Sequence, residues 1–289
     1  MADQQNDAPI AGRVCAITGA AGGMGSVMAR ALAGAGADIA AIDMSKEGLD
    51  ALGKEPLFAN RRFVAIQTDV SKFEDCRAAV QKTVEVLGGI DVLVNCAGVS
   101  QRLAAPAGKK GPTKFYETDA EGWTRVQMIN AFGAFYMSHE AVPHMLKKGW
   151  GRIINVTTSY DTMLLANMNA YGPSKSSLES STVIWSKELA GTGVTVNVLT
   201  PGGVTNTPFL PPEMPRDNTL DPSVMEVPVQ WLASDASADY TGCRFIGRDW
   251  DKSLPLDEAA KKLAVPAAWQ DLAAQAEEDR GGPNWASRK

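Results

Sequence analysis

The chain has 289 residues, of which 45% are apolar and 21% charged. That composition excludes a disordered chain, and the length buries a core without disulfide staples. Acidic side chains number 33 against 28 basic ones, a net charge of −5 with no Lys/Arg-rich block, which argues against nucleic acid as the main partner.

Apolar, β-branched runs alternate along the chain with runs of helical periodicity. Strands are predicted over 13–18, 38–43, 63–68, 91–95, 152–157, 194–200 and 243–247. Helices are predicted over 24–35, 46–52, 73–87, 119–147, 171–190 and 222–234. Strand followed by helix, repeated, implies an α/β fold, and VCAIT and VLVN are apolar throughout, as strands covered on both faces should be. The expected architecture is therefore doubly wound and Rossmann-like: one seven-stranded parallel sheet with helices on both faces. Two stretches break the alternation. Residues 101–116 are rich in Gly, Pro and Lys, and 202–221 hold four prolines; both read as loops. The division that follows is a flexible leader over 1–11, one domain over 12–247 with a substrate loop near 203–221, and a C-terminal extension over 248–289, packed by Trp231, Trp250, Trp269 and Trp285.

Four cysteines, Cys15, Cys76, Cys96 and Cys243, are widely spaced without a CxxC pair, so neither a disulfide framework nor a metal site is expected. His139 and His144 lack the further ligands a metal needs and read as surface residues. Lys109 and Lys110 read as a solvated part of the 101–116 loop. The polar opening MADQQNDAP is no secretory signal, and the most apolar early stretch is interrupted by Arg30 and Asp38. A cytoplasmic protein with no membrane partner is expected.

The first strand runs into Thr18-Gly19-Ala20-Ala21-Gly22-Gly23-Met24-Gly25, and a helix follows. Glycines 19, 23 and 25 allow a sharp turn and bring backbone N–H groups, with Met24 in the first helical turn, close to a diphosphate. The second strand ends at Asp43, 18 residues past Gly25. A carboxylate there accepts the ribose hydroxyls of an adenosine and repels a 2′-phosphate, which favours NAD over NADP. Further on, Tyr171 and Lys175 stand four residues apart at the start of a helix and share one face. A nearby ammonium favours the phenolate, and so makes the tyrosine a usable base. Just upstream, strand 152–157 runs into Thr157-Thr158-Ser159, hydroxyls that can donate to a substrate oxygen.

With these pieces in place the sequence resembles the short-chain dehydrogenase/reductase family over about residues 12–247. TGAAGGMG is similar to its TGxxxGxG cofactor loop, Asp69-Val70 to the pair that meets the adenine, and Asn95-Cys96-Ala97-Gly98 to its NNAG motif. Asn130 falls where the family keeps an asparagine that holds a proton-relay water. Pro201, Gly202 and Val204, followed by Thr207 or Thr205, resemble the PG…T segment at the nicotinamide amide. The resemblance implies Asn130, Tyr171, Lys175 and a hydroxyl residue as the catalytic set. The family's serine offset of 13 falls on Thr158, and Ser159 lies one step closer; Ser159 is preferred because the threonine methyl crowds the donor position. The family's closing VDGG is replaced by IGRDWD. The implied activity is hydride transfer between NAD(H) and a small-molecule secondary alcohol or ketone. The alternatives are an epimerase or dehydratase on the same framework, or a non-catalytic NAD-binding regulator. The family's habit implies a homo-oligomer, dimer or tetramer, joined through helices 119–147 and 171–190.

Overall fold

The structure is a computed structural model that describes residues 10–109 and 111–279. Most of the expected leader, Lys110 and the end of the extension with Trp285 lie outside the described residues. In chain order the main elements are β1 (Val14–Thr18), α1 (Gly23–Gly34), β2 (Asp38–Asp43), α2 (Lys46–Gly53), β3 (Phe63–Gln67), α3 (Phe73–Leu87), β4 (Val92–Asn95), α4 (Ala120–Gln127) and α5 (Gly133–Lys148). They continue with β5 (Gly151–Val156), α6 (Tyr160–Met163), α7 (Tyr171–Glu188), β6 (Val194–Thr200), α8 (Glu226–Leu232), β7 (Cys243–Ile246), α9 (Leu256–Leu263), β8 (Val265–Pro266) and α10 (Gln270–Asp279).

The strands form one sheet in the order β3-β2-β1-β4-β5-β6-β7-β8. The first seven are parallel, and β8 is antiparallel to β7, with Arg244 opposite Val265 and Cys243 opposite Pro266. The expected seven-stranded sheet is thus corrected to eight. A two-residue strand ending in proline carries no periodicity to read, and an edge is where proline is tolerated. Successive residues of β1 send side chains to opposite faces. Cys15 and Ile17 join a core with Met28, Leu32, Trp231 and Phe245, while Val14 and Ala16 join one with Ile42, Leu93, Met137 and Ile153.

Two departures matter for the site. The single helix expected over 119–147 is α4 and α5 joined by a π turn, Met128–Phe132, with Asp119 capping the start through a 2.6 Å bond from the Gly122 amide. The C-terminal extension is no appendage: Trp250 is buried 6.0 Å from Trp231, and Ala259, Ala260 and Ala267 are fully packed. Trp269 stays largely exposed at the head of α10. The strand order reverses between β2 and β4 on either side of β1, and the crevice at the carboxyl ends there is where such sheets bind ligands.

Candidate active site

At that crevice the turn between β1 and α1 leaves no room for a Cβ at two of its positions. Gly19 sits at φ 70°, and a Cβ there would lie 2.9 Å from Ala97 Cα. A Cβ on Gly25 would lie 2.0 Å from the Gly19 carbonyl, so only glycine closes the turn. Thr18 ties this turn to the next loop, its hydroxyl accepting the amides of Cys96 and Ala97 at 3.1 Å each. The result is an open cleft of about 380 Å³.

Gly19, Gly23, Met24, Gly25, Asp43, Asp69, Val70, Ala97, Gly98 and Thr207 all line this cleft. Asp43 Oδ2 accepts the Ala21 amide at 3.0 Å and Oδ1 the Ser45 amide at 2.9 Å, which fixes the carboxylate at the rim with lone pairs to spare. Burial works against the charge on Asp69, but the Ser71 hydroxyl and amide outweigh it and hold its carboxyl below the usual range. Four other expected residues lie off the cleft. Asn95 is buried beneath it, donating to Asn155 Oδ1 at 2.8 Å and Ser138 Oγ at 3.1 Å, and so joins β4, β5 and α5. Gly202 packs against Ile246 at φ 93°, in the turn that follows Pro201. The Val204 carbonyl accepts the Leu220 amide at 2.7 Å and closes the base of the 203–221 loop. Met44, Cys96, Ile129 and Phe209 line the cleft without having been expected. Apolar or sulfur side chains in those positions carry no chemical signature in a sequence.

Beside the cleft, β5 and α7 bring the catalytic candidates together. The Thr158 hydroxyl faces the Tyr171 phenol, close enough to favour its ionised form. Ser159 faces elsewhere: its Oγ lies 2.8 Å from Thr162 Oγ1, at the start of α6. Ser159, preferred on side-chain shape, thus stands at the start of the next helix with its hydroxyl on Thr162, and Thr158 is the hydroxyl beside Tyr171. Lys175 is buried; its ammonium donates to the Val156 carbonyl at 2.8 Å and lies 6.0 Å from the Tyr171 ring centre. Burial depresses Lys175 to about 8 and pushes the Tyr171 phenol up to about 12, with the Thr158 hydroxyl pulling the phenol the other way. In the protein by itself desolvation thus sets the phenol, and the Lys175 ammonium is not among the groups that shift it.

Asn130 sits in the π turn between α4 and α5, a distortion common at functional sites. Its carboxamide grips Val99, accepting the amide at 2.8 Å and donating to the carbonyl at 3.0 Å, and it also donates to Ser174 Oγ at 3.1 Å. Sequence reasoning missed Gln101, whose Oε1 accepts the amides of Ala170 and Tyr171 at 2.8 and 3.1 Å and so anchors the start of α7. The contact spans about 70 positions and leaves no local trace. Over the tyrosine lies Phe209, ring centres 5.7 Å apart, and Arg102 reaches the Phe209 carbonyl at 3.3 Å. His139 pairs with Glu140 on the exposed side of α5.

Residues 13–217 match the model of the short chain dehydrogenase family. The chain belongs to that family. It is 33% identical over 249 residues to the 3-oxoacyl-(acyl-carrier-protein) reductase of Thermotoga maritima, covering 82% of this chain and 96% of that one. It is 32% identical to D-threitol dehydrogenase of Mycolicibacterium smegmatis, over 81% of this chain and 91% of the relative. Among solved structures, the 3-ketoacyl-(acyl-carrier-protein) reductase of Brucella melitensis complexed with NADH superposes with a TM-score of 0.71 at 27% identity, covering 81% of this chain and 96% of the other. The protein is a nicotinamide-dependent oxidoreductase acting on alcohol and carbonyl groups of small molecules. Among the described residues no helix is long and apolar enough to cross a membrane.

Proposed function

We propose that the protein is an NAD-linked dehydrogenase/reductase of secondary alcohols and ketones, with Tyr171, Lys175, Thr158 and Asn130 as its working set. The observation that carries this is the convergence of the Thr158 hydroxyl, the Tyr171 phenol and the buried Lys175 beside a glycine-walled cleft. The residues present fit the cofactor. The turn that walls the cleft is glycine where a Cβ would strike neighbouring protein atoms, so its backbone lies bare to a diphosphate, and Asp43 stands at the far rim for an adenosine ribose without a 2′-phosphate. When bound, the nicotinamide supplies or accepts the hydride.

The chain's own part is to hold oxygen and proton. Thr158 donates to the substrate oxygen and fixes it against Tyr171. Tyr171 takes the hydroxyl proton in oxidation and returns it in reduction. Lys175, a cation below about pH 8, steadies the phenolate that oxidation needs. Asn130 holds Val99 and Ser174 and so keeps the wall opposite Lys175 in place for a water to enter. Oxidation releases a proton, so it speeds up and reduction slows as pH rises toward about 8, and above that the loss of the Lys175 charge levels the gain. Exposed Phe132, Phe135 and Ile184 on the α5 and α7 side support a homo-oligomer, which light scattering tests; a monomer contradicts it.

The test of function is a panel read by NADH absorbance: D-threitol and cyclohexanol with NAD, an acetoacetyl thioester with NADH, each repeated with the phosphorylated cofactor. NAD-linked turnover of at least one member is expected. Calorimetric binding of NADP tighter than NAD sinks the cofactor assignment, and interconversion of isomers without net NADH favours an epimerase.

A further inference from the structure

Glu179 on α7 and Arg244 on β7 form a buried ion pair, Nη1 to Oε2 at 2.7 Å, with the side chains 3% and 0% exposed for Arg244 and Glu179. Burying two charges costs desolvation that their attraction often fails to return, so the remaining contacts of the pair are informative. Arg244 Nη2 donates to the Thr158 carbonyl at 2.6 Å, and Nη1 lies 3.3 Å from Thr157 Oγ1. The Thr157 hydroxyl in turn donates to Glu179 Oε2 at 2.8 Å. The other carboxylate oxygen faces the C-terminal segment: Glu179 Oε1 accepts the Ala268 amide at 3.3 Å and lies 3.2 Å from the Tyr160 hydroxyl. That hydroxyl is also 3.1 Å from the Ala268 carbonyl, and the Tyr160 ring lies under the Arg244 guanidinium at 4.3 Å. Ala268 itself stands at φ 54°, a left-handed conformation rare outside glycine.

The pair therefore grips the turn after β5 on one side and the segment after β8 on the other. Thr158 lies beyond the last residue of β5, and the Arg244 guanidinium is the donor on its carbonyl. We propose that Arg244 and Glu179 are positioning residues for the reaction: they fix the Thr158 backbone so that its hydroxyl stays on Tyr171, and they make the C-terminal segment at Ala268 part of the active-site frame. The inference rests on the reading of Thr158 and Tyr171 as the reacting pair.

Full-length protein carrying 13Cζ-tyrosine, titrated by NMR with saturating NAD, tests it. The Tyr171 line is identified by its loss in Tyr171→Phe. The double variant Glu179→Met/Arg244→Met removes both charges at once, so net charge is kept and no buried charge is orphaned. The expected result is a Tyr171 midpoint raised by about half a pH unit, roughly threefold in acidity, with NAD affinity and melting temperature close to wild type. A folded double variant whose Tyr171 titrates as in wild type overturns the inference. Should the double variant not fold, Arg244→Lys serves: it replaces the two guanidinium nitrogens that divide Glu179 and the Thr158 carbonyl between them by a single nitrogen, so the same rise supports the proposal and an unmoved Tyr171 overturns it. A Tyr171→Phe protein that still oxidises alcohols overturns the proposed chemistry instead, which separates the two failures.

Discussion

The nucleotide half of the crevice and its catalytic half are built on different length scales. Around the cleft, the constraints are local: Gly19 and Gly25 are six residues apart, and the turn forbids a Cβ at either one. Around Tyr171, the contacts join distant segments. Gln101 anchors the head of α7 from about 70 positions away, Arg244 reaches Thr158 across 86, and Ala268 reaches Glu179 across 89. The first half is written in spacing, and the second is written in the fold.

The largest expected effect lies in the catalytic half. Tyr171→Phe removes the proton-exchanging hydroxyl and lowers alcohol oxidation by about 10²–10⁴-fold, measured as kcat, while NAD binding by calorimetry stays unchanged. Loss of binding together with rate would mean that the tyrosine serves the cleft instead.

The next effect lies in the nucleotide half. Asp43→Asn keeps an acceptor for only one of the Ala21 and Ser45 amides, and it removes the charge that would face a 2′-phosphate. The preference for NAD over NADP should fall by about tenfold, on the order of 1.4 kcal/mol, with kcat for the NAD reaction little changed. An unchanged preference would leave the cofactor choice to some other residue.

The smallest effect is on stability. Lys175 titrates near 8 in the folded chain and near 10.5 as an ordinary lysine. Between those values the unfolded chain holds more protons, so stability rises with pH as the buried charge is relieved. Below pH 8 both states carry the proton and its burial costs stability in full. Denaturant melts of wild type should therefore gain on Lys175→Met between pH 8 and 10, by on the order of 1–3 kcal/mol. Parallel curves for the two proteins would show that Lys175 is not desolvated.

The same contrast accounts for what could be read from the sequence. Strands β1 to β7 were legible because each is a short apolar run between breakers, and the glycine turn, Asp43, Tyr171 and Lys175 because each is a spacing. β8 was not legible: two residues, Val265 and Pro266, form an edge strand only because β7 is there to pair with. Pro201, Gly202 and Val204 took a cofactor role from a motif resemblance, and the structure sets them at the base of the 203–221 loop. Ser159 was preferred over Thr158 on side-chain shape. The outcome depended on where β5 ends and α6 begins, and on the arginine of β7 that holds the Thr158 carbonyl. An arginine inside the strand CRFI, and a glutamate among the Ser and Thr of α7, were the available signals.

The most direct measurement of the central claim is a side-by-side comparison of Thr158→Val and Ser159→Ala in alcohol oxidation with NAD. Thr158→Val keeps the side chain's shape and loses only the hydroxyl on Tyr171, so kcat should drop by about 10- to 100-fold, while Ser159→Ala stays within about twofold of wild type. A Ser159→Ala protein that loses turnover while Thr158→Val retains it would contradict the account.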